Sequence, residues 1–413
     1  MRQLAIAALL AVPAAVLASG DNVPHVNPRD LAMAEATVAA QVGSPAAFVN
    51  PAALSRIEGF DVSLAGSVLR LTDDWSTNSG LTPSPFSSQN TVPPPAVYAA
   101  FGGKLGDRGV GVGLGFQTPA GGAVDWPLDW TGRRAVQTVD RRVYATYLSA
   151  GVEVVSWLRL GAGLVYYRTT EKLSQALAIP GGEGRVQVGT VGDAVTFGAA
   201  AEVGPFEGLP LTLGVNYRHQ AVQTLEGDAH FDIPPALQTA FPDQKVTHVF
   251  TVPNKLDLGL AWRATSAVTI VAGYTFDRYE VYKSDTFVGQ ATDPTTGQPL
   301  QVNVPRNYGN GYTLRLGGEW QATPRLAVRA GFFRDHSGFS ADDYDPSLPD
   351  GHSWSATVGG GWSFSRTFSV DVAFLHAWFD RVTATPAAPL PGNYDITAWI
   401  ASVGLTWRWN PGR

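Results

Sequence analysis

The chain has 413 residues, 45 of them glycine and 12 tryptophan, with only 15% charged side chains and no cysteine. A formal charge of −6 supplies no basic footprint for nucleic acid, and the missing thiols exclude disulfides and thiolate metal sites. That length suits two or three soluble domains or one large barrel.

Residues 1–18 read as a secretion leader: Arg2 is the positive flank, 4–17 is apolar, and Val16-Leu17-Ala18 fits a small-x-small cleavage site. About 14 apolar residues in a helix span roughly 21 Å, short of the ~30 Å hydrocarbon core. The leader is therefore expected to be cleaved, with a mature start at Ser19 and Gly20 the second choice. No later stretch holds 18 unbroken apolar residues. A closed barrel is the other structure able to span lipid.

Residues 19–57 differ from all that follows. The segment 30–42 is rich in good helix formers, with Asn27-Pro28 as a start signal. Gly43-Ser44-Pro45 stops it and Asn50-Pro51 makes a second turn, which predicts a compact helical plug ahead of residues 58–413.

From Phe60 onward, apolar residues alternate with polar ones. Tyr312, Leu314, Leu316, Gly318 and Trp320 oppose Thr313, Arg315, Gly317, Glu319 and Gln321; Leu256, Leu258, Leu260 and Trp262 oppose Lys255, Asp257, Gly259 and Ala261. Tight turns such as Thr265-Ser266, Thr323-Pro324 and Ser365-Arg366 alternate with long stretches such as 283–305. A barrel with one rim in the periplasm and one outside needs that sorting, and a cation on its lipid face would cost ~2–4 kcal/mol at the midplane. A soluble sheet with its apolar face turned inward explains neither the sorted connections nor the leader. The pattern predicts an all-β, 14-stranded antiparallel transmembrane barrel, with strands near 59–72, 95–106, 109–117, 139–155, 158–172, 185–203, 210–225, 254–264, 267–282, 310–322, 325–338, 352–364, 367–381 and 394–409. Trp157, Trp262, Trp320, Trp378 and Trp409 fall at strand ends, where an interfacial girdle belongs.

In the third strand Gly109, Gly111, Gly113 and Gly115 alternate with Val110, Val112, Leu114 and Phe116. A face without side chains either admits another backbone, making room for the plug, or permits a kink and a lateral gap; Gly111, Gly113 and Gly115 are the candidate gap positions. Leu173, Leu177 and Ile179 in the third outer loop, and Phe231, Ile233, Leu237 and Phe241 in the fourth, suggest an exposed ligand groove, or else pack the loops on each other. Trp126, Leu128 and Trp130 are alternatives in the second loop. Seven scattered histidines and the cluster Asp342, Asp343, Asp345 and Asp350 match no catalytic or calcium spacing. Asp257, Arg315, Glu319 and Arg329 read as a mutually paired lumen wall. No enzyme activity, cofactor or metal is expected.

The segments Arg29-x-Leu31-x-Met33, Ala36-x-Val38-Ala39 and Asn50-Pro51-Ala52-Ala53-Leu54, in that order, resemble the hatch of FadL/TodX-type outer-membrane transporters for long-chain fatty acids and other hydrophobic compounds. Val252-Pro253-Asn254-Lys255-Leu256, Leu326-x-Val328-Arg329-Ala330-Gly331 and Leu348-Pro349-Asp350 extend the likeness over the mature chain. Departures are Ala32 and Ala34 where glycines are usual, Ser44-Pro45 in place of an acidic residue, Asp21 in place of an aromatic, and four residues after Trp409. The resemblance implies a monomer in the outer membrane of a Gram-negative bacterium, surrounded by outer-membrane lipid. It implies capture of a hydrophobic small molecule, long-chain fatty acids first, in a lumenal pocket. Asn50, Pro51 and Ala52 would belong to a hatch that shifts, and the ligand would leave sideways through the wall. An uptake channel for aromatic or alkane hydrocarbons, a general diffusion porin and an outer-membrane hydrolase are the other readings.

Overall fold

The computed structural model describes residues 23–24, 27–78, 86–239, 241–292 and 297–410. The expected leader and the expected start at Ser19 lie outside them.

Twenty strand segments of the described residues form one sheet. They are β1 (Gly59–Ser76), β2 (Phe86–Val92), β3 (Pro95–Leu105), β4 (Arg108–Asp125), β5 (Thr138–Val155), β6 (Leu158–Ile179) and β7 (Gly182–Val203). There follow β8 (Leu211–Arg218), β9 (Ala221–Asp232), β10 (Gln244–Val252), β11 (Lys255–Arg263), β12 (Val268–Asp277), β13 (Ser284–Thr292) and β14 (Pro299–Pro305). The last are β15 (Gly311–Gln321), β16 (Leu326–His336), β17 (Ser353–Ser363), β18 (Phe368–Phe379), β19 (Val382–Ala384) and β20 (Gly392–Trp409). Six consecutive pairs (β2 with β3, β8 with β9, β10 with β11, β12 with β13, β14 with β15, β18 with β19) each continue one line of the wall. The expected fourteen strands result, and β1 closes the barrel on β20 in an antiparallel ladder from Phe60↔Trp409 to Ser76↔Asn393.

The burial pattern is inverted relative to a soluble sheet. Leu314 and Leu316 are more than half exposed, whereas Thr313 and Arg315 between them are buried. Exposed Trp157, Trp262, Trp320, Trp362 and Trp409 mark the rim of tight turns, and exposed Tyr312, Trp354 and Trp378 stand toward the other rim. Lipid is the solvent that stabilises this arrangement. No helix of the described residues is long and apolar enough to cross a membrane.

Above the outer aromatic level the strands run on further than the sequence suggested. β6 and β7 continue to a two-residue tip, pairing Ile179 with Gly182, so Leu173, Leu177 and Ile179 stand in a ladder rather than a loop.

Inside the barrel lie α1 (Pro28–Ala32), α2 (Ala46–Val49) and a 3₁₀ turn over Pro51–Arg56. Asn27 caps α1, its Oδ1 accepting from the Arg29 and Asp30 amides. The expected helix over 30–42 ends after Ala32: Ala34 and Glu35 take left-handed φ values of 55° and 60°. A full helix is 10–12 Å wide with its side chains, whereas here the bare backbone is pressed on the wall. A Cβ on Gly317 would stand 2.4 Å from the Met33 carbonyl oxygen, and one on Gly331 2.7 Å from the Ala34 nitrogen.

Candidate functional site

The alternating glycines of β4 belong to a collar. Gly102, Gly111, Gly151 and Gly161 lie side by side across β3 to β6 at one height, and Ala200 of β7 continues the row. Each faces the 3₁₀ turn and the residue after it. A Cβ on Gly102 would stand 2.4 Å from the Ile57 oxygen, on Gly111 2.2 Å from the Leu54 oxygen, on Gly151 2.3 Å from the Pro51 oxygen, and on Gly161 2.3 Å from the Ala52 nitrogen. Gly113 faces Ala47 and Leu54 likewise, and Gly115 faces the Tyr98 ring. On the far side Gly214 and Gly259 meet Val38 and Ala39. Asn50 holds the turn in shape: its Nδ2 donates to the Val38 carbonyl (2.6 Å) and its Oδ1 accepts from the Ala52 amide (3.1 Å), with Pro51 at the first position. Asn50, Pro51 and Ala52 are therefore buried anchors, and none of them lines a described cavity. Gly111, Gly113 and Gly115 are paired without interruption to both neighbouring strands, so the wall is closed at them.

The wall is irregular higher in the same strand. The β4–β5 register shifts between Gln117 and Ala120, and the β3–β4 ladder ends at Ala96↔Gln117. Beyond that point β2 pairs with β1, and among the described residues no ladder joins β2 to 118–125; the Asp125 amide donating to Ser88 Oγ (2.8 Å) bridges the upper end. Prolines cause the seam. Pro93, Pro94 and Pro95 on one side and Pro119 on the other have no N–H to donate. Val92-Pro93-Pro94-Pro95 and Thr118-Pro119 are the signal of this seam in the sequence, and the alternating glycines are not.

The seam opens on a cavity of about 150 Å³. Asn90, Val92 and Pro94 bound it on one side of the seam, and Thr118, Gly121 and Ala123 on the other. Leu69, Leu71, Phe333, Leu375, Phe379 and Ile400 supply an apolar wall, and Leu348-Pro349-Asp350 closes the outer end. A second cavity of about 50 Å³ lies beside Phe48, Arg218 and Lys255. Val23 and Glu35 border both cavities. The Val23 amide donates to the Pro119 carbonyl (3.1 Å), tying the N-terminal segment to the bulge in the wall.

The lumen charges pair with the hatch as much as with each other. Arg29 meets Glu319 (3.3 Å), which also meets Arg329 (2.6 Å); Glu35 meets Arg315 (3.5 Å); and Arg56 pairs with Glu202. Asp257 is held by Arg218 (3.1 Å). The Asp342–Asp350 carboxylates are engaged by the protein, Asp345 by Arg306 (3.2 Å) and Asp350 by Ser337 (2.5 Å).

The residues expected to form an exposed groove do not. Leu173, Leu177, Phe231, Ile233 and Phe241 are buried with Trp75, Trp126, Trp130, Tyr344 and Tyr394 in one cluster, against which Ile179 and Leu237 pack. None of them lines the larger cavity. Burial of apolar surface explains the difference: outside the membrane, water surrounds these strand ends and drives their greasy side chains together. Beside the cluster lies a buried ion network in the extracellular parts of β5, β6, β10 and β13. His248 sits between Glu171 (3.3 Å) and Asp285 (2.9 Å), Arg141 pairs with Glu171, and Arg306 with Asp285 (3.1 Å). Burial by itself lowers the His248 pKa, but the two carboxylates overrule it and push it up to about 9. Burial likewise raises Glu171, and Arg141 and His248 outweigh that, holding it down to about 2.

Known proteins agree with this architecture. A family model described as outer membrane protein transport protein (OMPP1/FadL/TodX) matches residues 9–409. Outer membrane protein NMB0088 of Neisseria meningitidis serogroup B is 25% identical over 203 residues, 46% of this chain; the match spans 43% of that relative, under half its length. Among solved structures, a Pseudomonas aeruginosa FadL homologue superposes with a TM-score of 0.82 at 20% identity, over 94% of this chain and 99% of that one. The Pseudomonas putida toluene transporter TodX gives 0.71 at 16% identity, over 90% and 95%. At those identities the two structures speak for the fold. The family model spans nearly the whole chain, so this protein is an outer-membrane barrel of the OMPP1/FadL/TodX outer membrane protein transport family.

Proposed function

We propose that the chain takes up hydrophobic small molecules across the outer membrane, long-chain fatty acids first among them. The observation that carries this reading is the meeting of an apolar cavity with an unpaired seam in the lipid-facing wall. Burying each CH₂ is worth about 0.8 kcal/mol, so an acyl chain loses least by passing from cavity to lipid without crossing water. Arg315, lining the same cavity, offers a cation to a carboxylate head group. A collar of glycines seated on the hatch leaves no open bore, which argues against a general diffusion porin.

A monoaromatic hydrocarbon is the second reading, and the cavity volume favours it. About 150 Å³ of apolar space suffices for a benzene-sized guest, and TodX, whose fold this chain shares, is a toluene transporter. Uptake of labelled oleate and of labelled toluene, in cells with and without the protein, separates the two. Loss of neither flux on deletion rejects both. A large, stable single-channel current in planar bilayers would restore the porin reading.

A further inference from the structure

Glu35 occupies an unusual position in this hatch. It follows Ala34 in a second left-handed residue, a backbone that side-chain-bearing residues rarely adopt. It borders both cavities, and each cavity presents cations to it: Arg315 in the larger, Arg218 and Lys255 in the smaller. The contact with Arg315 is long, 3.5 Å from Nη2 to Oε2. Arg315 is 94% buried at its side chain; its Nη1 donates to Thr275 Oγ1 (2.7 Å), and its Nε has no hydrogen-bond partner. A buried guanidinium that borders the cavity and meets Glu35 at 3.5 Å can exchange one carboxylate for another.

We propose that Glu35 is a ligand-sensitive switch: an anionic head group taking Arg315 displaces the Glu35 carboxylate toward Arg218 and Lys255, loosening the hatch between the two cavities. The proposal rests on the transport reading and adds what trips the hatch. The placement of cations on both sides of Glu35 supports the exchange. Arg218 is tied to Asp257 (3.1 Å) and Lys255 lies 3.6 Å from Asp277, while Asp335 lines the larger cavity beside Arg315. A carboxylate entering this acidic surrounding without another leaving would add a buried, uncompensated charge. If Glu35 moves across, Arg315 stays paired and the added negative charge is shared with Arg218 and Lys255 instead of resting beside Asp335. A neutral hydrocarbon filling the same apolar walls has no differential interaction with the two Glu35 positions, and so cannot shift them.

The test uses the mature protein in lipid nanodiscs with oleate and hexadecane as probes, read by binding and by amide hydrogen exchange over residues 31–38. In the wild type, oleate is expected to speed exchange there by about tenfold, and hexadecane to bind without doing so. Glu35→Gln removes the charge with little change of shape and should show the faster exchange without ligand. Arg315→Gln should lose the oleate response while keeping hexadecane binding. Equal exchange in the wild type and Glu35→Gln, or an equal response to both probes, overturns the switch. Binding of neither probe overturns the transport reading beneath it.

Discussion

The lower and upper halves of the barrel interior are held by opposite means. Around the hatch the wall gives up its side chains, and backbone meets backbone at Gly102, Gly111, Gly151 and Gly161. Above the cavity the wall keeps large and charged side chains, and Trp126, Trp130, Phe231, His248 and Arg306 fill the space themselves. A surface of glycines permits close approach and resists any added atom. A layer of buried ions resists the loss of any partner. The seam at Thr118-Pro119 lies between these two regimes.

Five changes would break or sharpen that comparison. Glu171→Ala strips the ionic layer of a carboxylate shared by Arg141 and His248, and should cost about 3–5 kcal/mol by leaving buried charge unpaired. Loss of barrel stability in a heat-modifiability or denaturant titration checks it. Gly151→Leu acts on the lower half: its side chain would overlap the Pro51 carbonyl, costing about 1–3 kcal/mol or unseating the hatch. An unseated hatch would be read as new leak conductance in planar bilayers. Alkaline pH should act on the upper half alone. The folded His248 pKa of about 9 lies above its ordinary 6.5, so its stabilisation is complete below pH 6.5 and is lost as pH rises through 9. Glu171, depressed to about 2 from 4.5, contributes fully above pH 4.5 and loses its share as pH falls toward 2. Relative to intrinsic amide exchange at each pH, protection in β10 and β13 should therefore be greatest between those limits, with protection in the collar unchanged.

Closing the seam is a smaller structural change with a functional readout. Pro94→Val together with Pro119→Val restores two backbone donors, each worth about 0.5–1.5 kcal/mol once bonded. Uptake should fall while thermal stability holds or rises; undiminished uptake would place the exit elsewhere. The least effect belongs to Gly103→Leu. No atom lies within 4 Å of a Cβ there, so stability should stay within about 0.5 kcal/mol of wild type. A large loss at Gly103 would mean that glycine in this wall serves strand formation rather than the fit to the hatch.

Particular residues show how far reading along the chain could go. The alternation of Leu314, Leu316 and Trp320 with Thr313, Arg315 and Glu319 announced a lipid face, because a strand segregates its two faces locally, every second residue. The glycine run in β4 was equally visible, with both of its meanings, room for the plug and a gap. Choosing between them needed Leu54 and Ser55, which arrive from more than fifty positions away. The helix expected over 30–42 failed where local propensity met the wall: alanines and a glutamate that favour a helix were bent into left-handed turns at Ala34 and Glu35. Leu173 and Phe231 were recognised as greasy, yet only the meeting of β6 with the outer cluster decided that they face each other rather than a ligand.

Amino-acid order alone therefore determined the strand count, the outward apolar face and the presence of a distinct N-terminal segment, since each is a short-range pattern imposed by the solvent on either side. Tertiary structure decided where the wall is sealed, where it parts and which charges meet, because those depend on partners distant in the chain. Glu35 and Arg315, 280 positions apart, come within 3.5 Å only when the barrel closes around the hatch.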